Sequence, residues 1–307
     1  MDIIKTKHYI LDLLKSEIKG VQAKLDEPMK NHTSFRIGGN ADVFVTARTE
    51  DEIIKIVSLL KNNNITLTVI GNGSNLLVSD SGIEGVVLCI GKDFSSVSHT
   101  GNQINAQAGI LLSRLSAYAL DLGLTGLEFA SGIPGTLGGA IVMNAGAYDG
   151  EMKDVVTQTR YITSDGNIET VKDSEHEFSY RHSRFKDDDI ILSSTLTLKE
   201  GNAEEIKAKM QLLSQKRREK QPLEFASAGS TFKRPDGAFA AKLIDDAGLR
   251  GFSVGDACVS EKHAGFVINK GNASFEDVIT LTDKIKETVK EKFGYDLELE
   301  VKIIGRR

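Results

Sequence analysis

The sequence, 307 residues long, predicts a mixed α+β protein of two domains. Residues 42–70 read strand, helix, strand, the pattern of a βαβ unit with a parallel strand pair. Residues 155–171 read as two strands flanking Asp165-Gly166, a strong antiparallel hairpin signal. After Glu200-Gly201-Asn202 a second series of helices and short strands begins, which makes this the expected boundary. The sequence contains no internal repeat and no low-complexity tract.

Ile3, Tyr9, Ile10, Leu13, Leu14 and Ile18 fall at helical spacing, so residues 3–19 are expected to form a helix stopped by Gly20. An irregular segment around Pro28 follows, ending in NHTSFRIGGNA. Residues 42–46 (DVFVT) form the first expected strand. Thr49 and Glu52 have the spacing of a capping box, ahead of a helix whose apolar face carries Ile53, Ile54, Val57 and Leu60. The β-branched run 65–70 closes the βαβ unit.

The turn after that run is Gly71-Asn72-Gly73-Ser74-Asn75. A dinucleotide-binding turn would run G-x-G-x-x-G into a helix; here Leu76 replaces the third glycine and residues 76–78 read as a strand. The ordinary Rossmann reading therefore fails. Successive N–H groups in such a turn can still form an anion-binding nest, although turns of this composition are more often simple hairpins.

Residues 86–90 and 104–108 read as further strands, and 111–122 as an amphipathic helix ended by Gly123. Past the hairpin, Ser174 and Glu177 have capping-box spacing, SYRHSRF fills 179–185, and 190–198 is a strand. In the second domain, 203–218 is a helix with Ile206, Met210 and Leu213 on one face, stopped before Pro222. SAGSTF (227–232) then precedes Arg234-Pro235, a short helix spans 239–247, and 263–269 is a strand. Ser274 caps a helix carrying Val278, Leu281, Ile285, Val289 and Phe293, stopped by Gly294. Residues 297–304 alternate apolar side chains at 297, 299, 301 and 303 with Glu298, Glu300 and Lys302 on the other face.

One stretch stands apart. Residues 127–151, LEFASGIPGTLGGAIVMNAGAYDGE, hold six glycines and no charge between Glu128 and Asp149. A solvated loop would carry more polar residues, and a core helix would not be expected to tolerate glycines at about 1 kcal/mol each. The remaining explanation is a backbone that a ligand approaches closely, anchored by Phe129, Ile133, Leu137, Ile141, Val142 and Met143. A flat or phosphate-bearing ligand suits that description; a glycine-rich packing loop is the plainer alternative.

The formal net charge is −5, with basic residues scattered except at Lys216–Lys220, which argues against a surface that coats nucleic acid. Cys89 and Cys258 lie far apart in apolar runs without zinc or redox spacing, so both are expected to be free, buried thiols. The first residues lack a signal-peptide core, and no run approaches the ~18 apolar residues of a membrane helix. A soluble, cytoplasmic protein is the expectation.

By residue type, Arg181, Lys220, Ser230, Arg234, His263 and Glu300 could carry chemistry, and each has a plain alternative. Arg181 sits in a polar cluster with His182 and Arg184, Lys220 ends a basic helix terminus, and Glu300 shares a strand face with Glu298 and Lys302. Ser230 is an ordinary turn hydroxyl in the absence of a nucleophile elbow, and a histidine beside an apolar strand is usually structural.

Taken together, five motifs resemble the UDP-N-acetylenolpyruvoylglucosamine reductase family. They are GNGSNLLV (71–78), EFASGIPGTLGGAIVMNAGAYDGE (128–151), SYRHSRF (179–185), AGSTFKRP (228–235) and EVKIIG (300–305), in this order, within a resemblance spanning 25–305. The resemblance implies a flavoenzyme with non-covalent FAD that uses NADPH to reduce UDP-N-acetylglucosamine enolpyruvate to UDP-N-acetylmuramate for peptidoglycan. It implies a two-part FAD-binding domain of the vanillyl-alcohol-oxidase (PCMH) type, which binds FAD without a Rossmann turn, and a smaller α+β substrate-binding domain. The expected limits are 1–30 for the N-terminal helix and lead-in, 31–200 for the FAD-binding domain and 201–307 for the substrate-binding domain.

The resemblance places Gly71, Asn72, Gly73, Ser74 and Asn75 on the FAD pyrophosphate. It adds Glu128, Ala130, Gly132, Ile133, Pro134, Gly138, Gly139, Asn144, Ala145, Gly146 and Ala147 as further FAD contacts. Arg181 falls on the arginine that holds the substrate carboxylate, Ser230 on the serine that donates a proton, and Glu300 on the paired acidic residue. Lys220 matches a substrate-binding lysine, His263 a position that is glutamine in some members, and Arg234 a position near the nucleotide sugar. The longer form of the family inserts a loop with a substrate-covering tyrosine between the strand ending near Leu198 and the helix beginning near Ala203. Only a few residues separate them here, so the shorter form is the match and that tyrosine has no counterpart. The implied protein is monomeric, without metal, nucleic acid or membrane partner. Two other readings remain open: a different FAD-dependent oxidase or dehydrogenase of the same flavin-binding fold, and a non-catalytic flavin- or nucleotide-binding module.

Overall fold

Apolar spacing decides the first element. In the computed structural model, which describes residues 3–306, α1 (Ile3–Glu17) turns Ile10 and Leu14 inward, one helical turn apart. Tyr9, expected on the same face, is exposed. β1 (Gln22–Pro28) alternates briefly, packing Ala23 and Leu25 against the core, while its Lys24, Asp26 and Pro28 suit the sheet edge that it occupies. β2 (Asn40–Thr46) leads to α2 (Glu50–Asn62), where the Thr49 hydroxyl accepts from the Glu52 N–H at 3.1 Å. The other half of the expected capping box is replaced: the Glu52 carboxylate takes the Arg48 N–H at 2.9 Å and pairs with its guanidinium.

β3 (Leu67–Ile70), β4 (Leu76–Val78) and β5 (Ile83–Cys89) follow. The expected neighbouring pair of β2 and β3 does not form. The sheet order is β1-β2-β5-β3, with β5 between them and parallel to β3. Val86, Val87 and Leu88 of β5 are fully buried, and a strand buried on both faces belongs in a sheet interior.

β6 (Val97–Thr100), β7 (Gln103–Gln107), α3 (Leu112–Asp121) and β8 (Leu124–Thr125) lead into the glycine-rich stretch. Contrary to expectation, that stretch contains a helix, α4 (Leu137–Val142), with Gly138 and Gly139 inside it. A Cβ at Gly138 would lie 3.0 Å from that of Ala108, so the helix packs where a larger residue would force a shift. The N–H groups of Leu137 and Gly138 donate to the carbonyls of Ile110 and Ala108, both at 2.9 Å, so tertiary bonds offset the weak intrinsic propensity.

β9 (Gly146–Ala147) and β10 (Gly150–Glu151) form a small hairpin. β11 (Val156–Ile162) and β12 (Ile168–Lys172) form the hairpin predicted from Asp165-Gly166, and β13 (Ile190–Thr197) completes a five-stranded antiparallel sheet, β12-β11-β13-β7-β6. The expected Ser174–Glu177 cap is instead one 3₁₀ turn, Asp173–His176, in which Glu175 accepts from the Lys172 N–H at 2.9 Å. β14 (Lys199–Glu200) pairs with β8.

α5 (Ala203–Lys220) precedes β15 (Ala226–Ser227), α6 (Ala240–Asp246), β16 (Ser253–Val254), β17 (Ala257–Val259) and β18 (Val267–Asn269), which give the sheet β15-β18-β17-β16. The strand expected from 263 therefore begins at Val267; His263 and Phe266 close a turn through the Phe266 N–H and the His263 carbonyl. α7 (Phe275–Phe293) carries a complete capping box, Ser274 with Asp277, and ends at Gly294 with φ 75°. β19 (Lys302–Ile304) pairs in parallel with β4, while Leu299 bridges Phe232. The predicted alternation holds there, with Leu297 and Val301 buried.

Contacts divide the chain into two compact units. One contains the residues through Leu25, Val43–Asn72 and Gly85–Arg217; the other contains Asp26–Asp42, Gly73–Glu84 and the chain from Arg218 onward. Ile53, Leu88, Phe94 and Leu115 belong to the first core, and Phe35, Leu77, Leu281 and Ile285 to the second. Among the described residues no helix is long and apolar enough to cross a membrane.

Candidate active site

In the first unit, the end of the parallel strand β3 delivers Gly71 and Asn72 against the glycine-rich stretch. The Asn72 side-chain amide donates to the Pro134 carbonyl at 2.5 Å. The N–H groups of Gly71, Asn72, Gly132, Gly135, Thr136 and Gly139 make no hydrogen bond within the described residues. Backbone donors so concentrated in a glycine-rich surface suit a phosphate-bearing cofactor. The structure thus brings the first two residues of the predicted turn to the predicted stretch.

Several predicted contacts have side chains engaged within the protein. Glu128 is buried, and its carboxylate accepts from the Thr125 hydroxyl at 2.5 Å and the Gly126 N–H at 2.9 Å, with Lys209 at 3.8 Å. Burial alone would raise its pKa, but these hydrogen bonds and Lys209 outweigh it and hold the carboxyl below its usual value. Asn144, fully buried with φ 40°, donates to Glu151 at 2.7 Å and to the Ser179 carbonyl at 2.9 Å, and accepts from the Lys153 N–H at 2.9 Å. Ile133, Ala145 and Ala147 are partly exposed, whereas Ala130, expected as a cofactor contact, is fully buried with its N–H and carbonyl bonded to Leu127 and Ile133.

Tyr148 and Asp149 turn the β9–β10 hairpin with φ 50° and 68°, the type I′ geometry that normally calls for Asn and Gly. Arg181 has φ 55° on another tight turn, Ser179–His182, closed by reciprocal N–H to carbonyl bonds of 3.1 and 3.2 Å. The Ser183 hydroxyl pins this turn to Val142 at 2.8 Å, and Arg181 reaches the Gly146 carbonyl at 3.4 Å. The guanidinium also stacks over Tyr180, 5.1 Å from the ring centroid. Asn144, Tyr148, Asp149 and Arg181 thus all adopt the left-handed region in this neighbourhood.

Arg217, which the sequence did not single out, belongs to this unit as well: its guanidinium donates to the Gly132 carbonyl. Its signal was the basic run at the end of α5, which could not show which member faces inward.

The second unit gathers a separate set. The Glu300 N–H donates to the Thr231 carbonyl at 2.9 Å, so Ser230 and Glu300 lie on adjoining segments. The Asn75 side-chain amide donates to the Glu300 carbonyl at 3.0 Å, bringing the end of the Gly71–Asn75 turn to the same place. Gly73 has φ 60° and its carbonyl accepts the Ser34 N–H at 3.1 Å. Ser74 follows it in the turn.

His263 joins this set through Gly265, whose carbonyl accepts the Thr231 N–H at 2.9 Å. The His263 Nδ1 accepts from the Gly265 N–H at 3.1 Å, which assigns the neutral ring's proton to Nε2. Burial lowers its pKa, with Arg250 and Lys220 adding to the effect, so the ring is a neutral donor. Lys220, at the exposed end of α5, thus lies within electrostatic reach of His263. Arg234 stacks over Phe239, its guanidinium carbon 4.7 Å from the ring centroid. Among the described residues no group of three His, Cys, Asp or Glu side chains could hold a metal ion.

The family model described as "FAD binding domain" matches residues 41–172, and that described as "UDP-N-acetylenolpyruvoylglucosamine reductase, C-terminal domain" matches 221–304. A UDP-N-acetylenolpyruvoylglucosamine reductase of Caldanaerobacter subterraneus subsp. tengcongensis is 52% identical over 97% of this chain and 99% of its own. One from Clostridioides difficile is 50% identical over 96% of each. The crystal structure of the Thermus caldophilus reductase superposes with a TM-score of 0.78 at 36% identity, covering 92% of this chain and 98% of that one. The expected α+β architecture, an FAD-binding domain followed by a smaller C-terminal domain, is thereby borne out.

Proposed function

The chain belongs to the UDP-N-acetylenolpyruvoylglucosamine reductase family, and from that premise we propose that it reduces UDP-N-acetylglucosamine enolpyruvate to UDP-N-acetylmuramate in cell-wall precursor synthesis. The observation that carries the reading is identity of 52% to a reductase of that name over nearly the whole of both chains. The donor-rich backbone around Gly71, Asn72 and 132–139 fits FAD, with NADPH as the hydride source. FAD held there would supply hydride transfer from NADPH to the enol-ether double bond.

The remaining work falls to side chains. Negative charge builds on the substrate carboxylate as the double bond accepts hydride, and a guanidinium held in place stabilises it. Arg181 has that role, its position fixed by its turn and by the Gly146 carbonyl. Ser230 gives a proton to the α-carbon, which requires hydrogen-bond reach and a route for replacing that proton. Glu300 acts as the acid that shares charge with the carboxylate, and a shielded, protonated or tightly paired state would serve it best. Lys220 offers a point charge to the diphosphate, His263 its Nε2–H to the nucleotide sugar, and Arg234 a contact at the sugar's edge.

The test is NADPH oxidation by the FAD-loaded protein with and without the enolpyruvyl nucleotide sugar. Turnover that depends on the sugar is expected. Oxygen uptake with an alcohol substrate instead, or flavin binding without turnover, would overturn the reading.

A further inference from the structure

Glu300 lies where its segment changes partners. Ahead of it, Leu299 bridges Phe232 in antiparallel pairing, and the Lys233 N–H donates to the Glu298 carbonyl at 2.8 Å. That ladder still serves the Glu300 N–H, which donates to the Thr231 carbonyl at 2.9 Å. The chain then bends at Val301, and parallel pairing with β4 begins at the Lys302 N–H, which donates to the Asn75 carbonyl at 2.9 Å. The Glu300 carbonyl falls in the gap between the two ladders. A half-buried carbonyl there needs a donor from elsewhere, and the Asn75 side chain supplies it at 3.0 Å. Because a carbonyl only accepts, the amide nitrogen is the atom that faces it.

Asn75 therefore holds the segment twice, once on each side of the buried Val301. Its side chain fixes the peptide plane after the Glu300 Cα, and the Thr231 carbonyl fixes the plane before it. Together they set the direction in which the Glu300 side chain leaves the backbone. The turn that ends in Asn75 is divided in use. Asn72 donates to Pro134 in the glycine-rich stretch and groups with that unit, whereas Asn75 groups with Glu300 in the other. The resemblance gives all five turn residues to the cofactor pyrophosphate; the Asn75 amide points to a different task. Resting on Glu300 as the acid beside the reacting carboxylate, we propose that Asn75 is a positioning residue, which aims the Glu300 carboxyl by holding its backbone where the ladders part. Misplacing a reacting group by about 1 Å costs on the order of 10²-fold in rate, so one backbone hydrogen bond is enough to matter there.

The experiment is a double-mutant cycle of Asn75→Ala with Glu300→Gln. Each protein is loaded with FAD, reduced with dithionite without oxygen and mixed with the enolpyruvyl nucleotide sugar, and flavin reoxidation is timed. FAD affinity is measured separately by titrating the apo-proteins. Asn75→Ala is expected to slow reoxidation by about tenfold or more, with FAD affinity unchanged. In the Glu300→Gln background the same substitution should slow it no further, because Asn75 acts through that carboxyl alone. Additive losses, a full rate in Asn75→Ala, or weaker FAD binding would each overturn the proposal, the last returning Asn75 to the cofactor.

Asn75→Asp keeps the shape of the side chain and presents an oxygen in place of the donor, and it enters the cycle if the alanine variant does not fold. Should neither fold, Asn75 is a requirement of the fold and the proposal is overturned. The readings beneath it fail differently. Wild-type reduced flavin that the nucleotide sugar does not reoxidise overturns the proposed reaction and this proposal together. A full rate in Glu300→Gln alone overturns the acid role and this proposal while leaving the reaction standing. Additive losses with a slow Glu300→Gln overturn this proposal alone.

Discussion

Asn144 spends its amide on Glu151, Ser179 and Lys153 while fully buried and left-handed. Alanine would leave a carboxylate, a carbonyl and an N–H short of a partner, and would itself be strained at positive φ. Asn144→Ala should therefore lose about 3 kcal/mol, seen as a lower urea midpoint at unchanged slope. The side chain is used internally, a distinction that residue type alone cannot make. Arg181 is held by its turn, by the Gly146 carbonyl and by the Tyr180 ring. Arg181→Lys should lower kcat by about 10²-fold, since a point charge cannot reproduce a planar fork, with NADPH reduction of FAD unaffected. Unchanged turnover would remove the carboxylate role. Cys89 supplies a third measurement: burial, reinforced by Asp93, pushes its thiol up to about 11. A thiol reagent at pH 8 should thus react with Cys89 far more slowly in the native protein than after denaturation, and rapid native labelling would contradict that burial.

At the scale of elements, long amphipathic helices and the Asp165-Gly166 hairpin were legible because period and turn chemistry are local. α4 was not, because its glycines answer to Ala108, far away in sequence. β1, β16 and β17 escaped notice because they are short or polar and exist through their partners. The 3₁₀ turn Asp173–His176 shows what such a partner does. His176 is fully buried, with Nδ1 2.9 Å from the Asp173 carbonyl and Nε2 2.9 Å from the Thr159 hydroxyl on β11. The carbonyl requires the proton on Nδ1, so Nε2 accepts from the hydroxyl and the ring is neutral. Burial is the main cause that holds its pKa below 6.5. Below pH 6.5 the unfolded chain takes up a proton that the folded ring refuses, so stability falls from pH 6.5 down to the folded value and levels off below it. His263, also lowered from 6.5, adds to the same limb. Glu128, held below 4.5, adds a second decline at lower pH, because its contribution is lost once the folded carboxylate is protonated. Urea midpoints measured across pH should show both declines, and a midpoint that stays flat below pH 6.5 would contradict the histidine assignment.

At the scale of the molecule, sequence order and compact units do not coincide, and this governs what can fold alone. Phe35, Ile37 and Leu77 come from the first third of the chain, yet they share one core with Leu281, Ile285 and Val301. β19 has β4 as its parallel partner, the Asn269 amide donates to the Phe35 carbonyl at 3.1 Å, and Asp80 accepts the Phe275 N–H at 2.9 Å. None of these long-range partners leaves a periodic signal in the sequence, which is why the expected boundary near residue 200 followed chain order. Removing the three early apolar residues forfeits about 1.5–3 kcal/mol each, a total comparable with the whole stability of an ordinary domain. A fragment comprising residues 218–307 should therefore fail to fold independently, although a family model matches 221–304 as one domain. Urea titration followed by circular dichroism should give the fragment no cooperative transition, and a hydrophobic dye should bind it strongly. The full-length chain should show a cooperative transition under the same conditions. A sigmoidal transition in the fragment would mean that residues 26–42 and 73–84 decorate the second unit rather than complete its core.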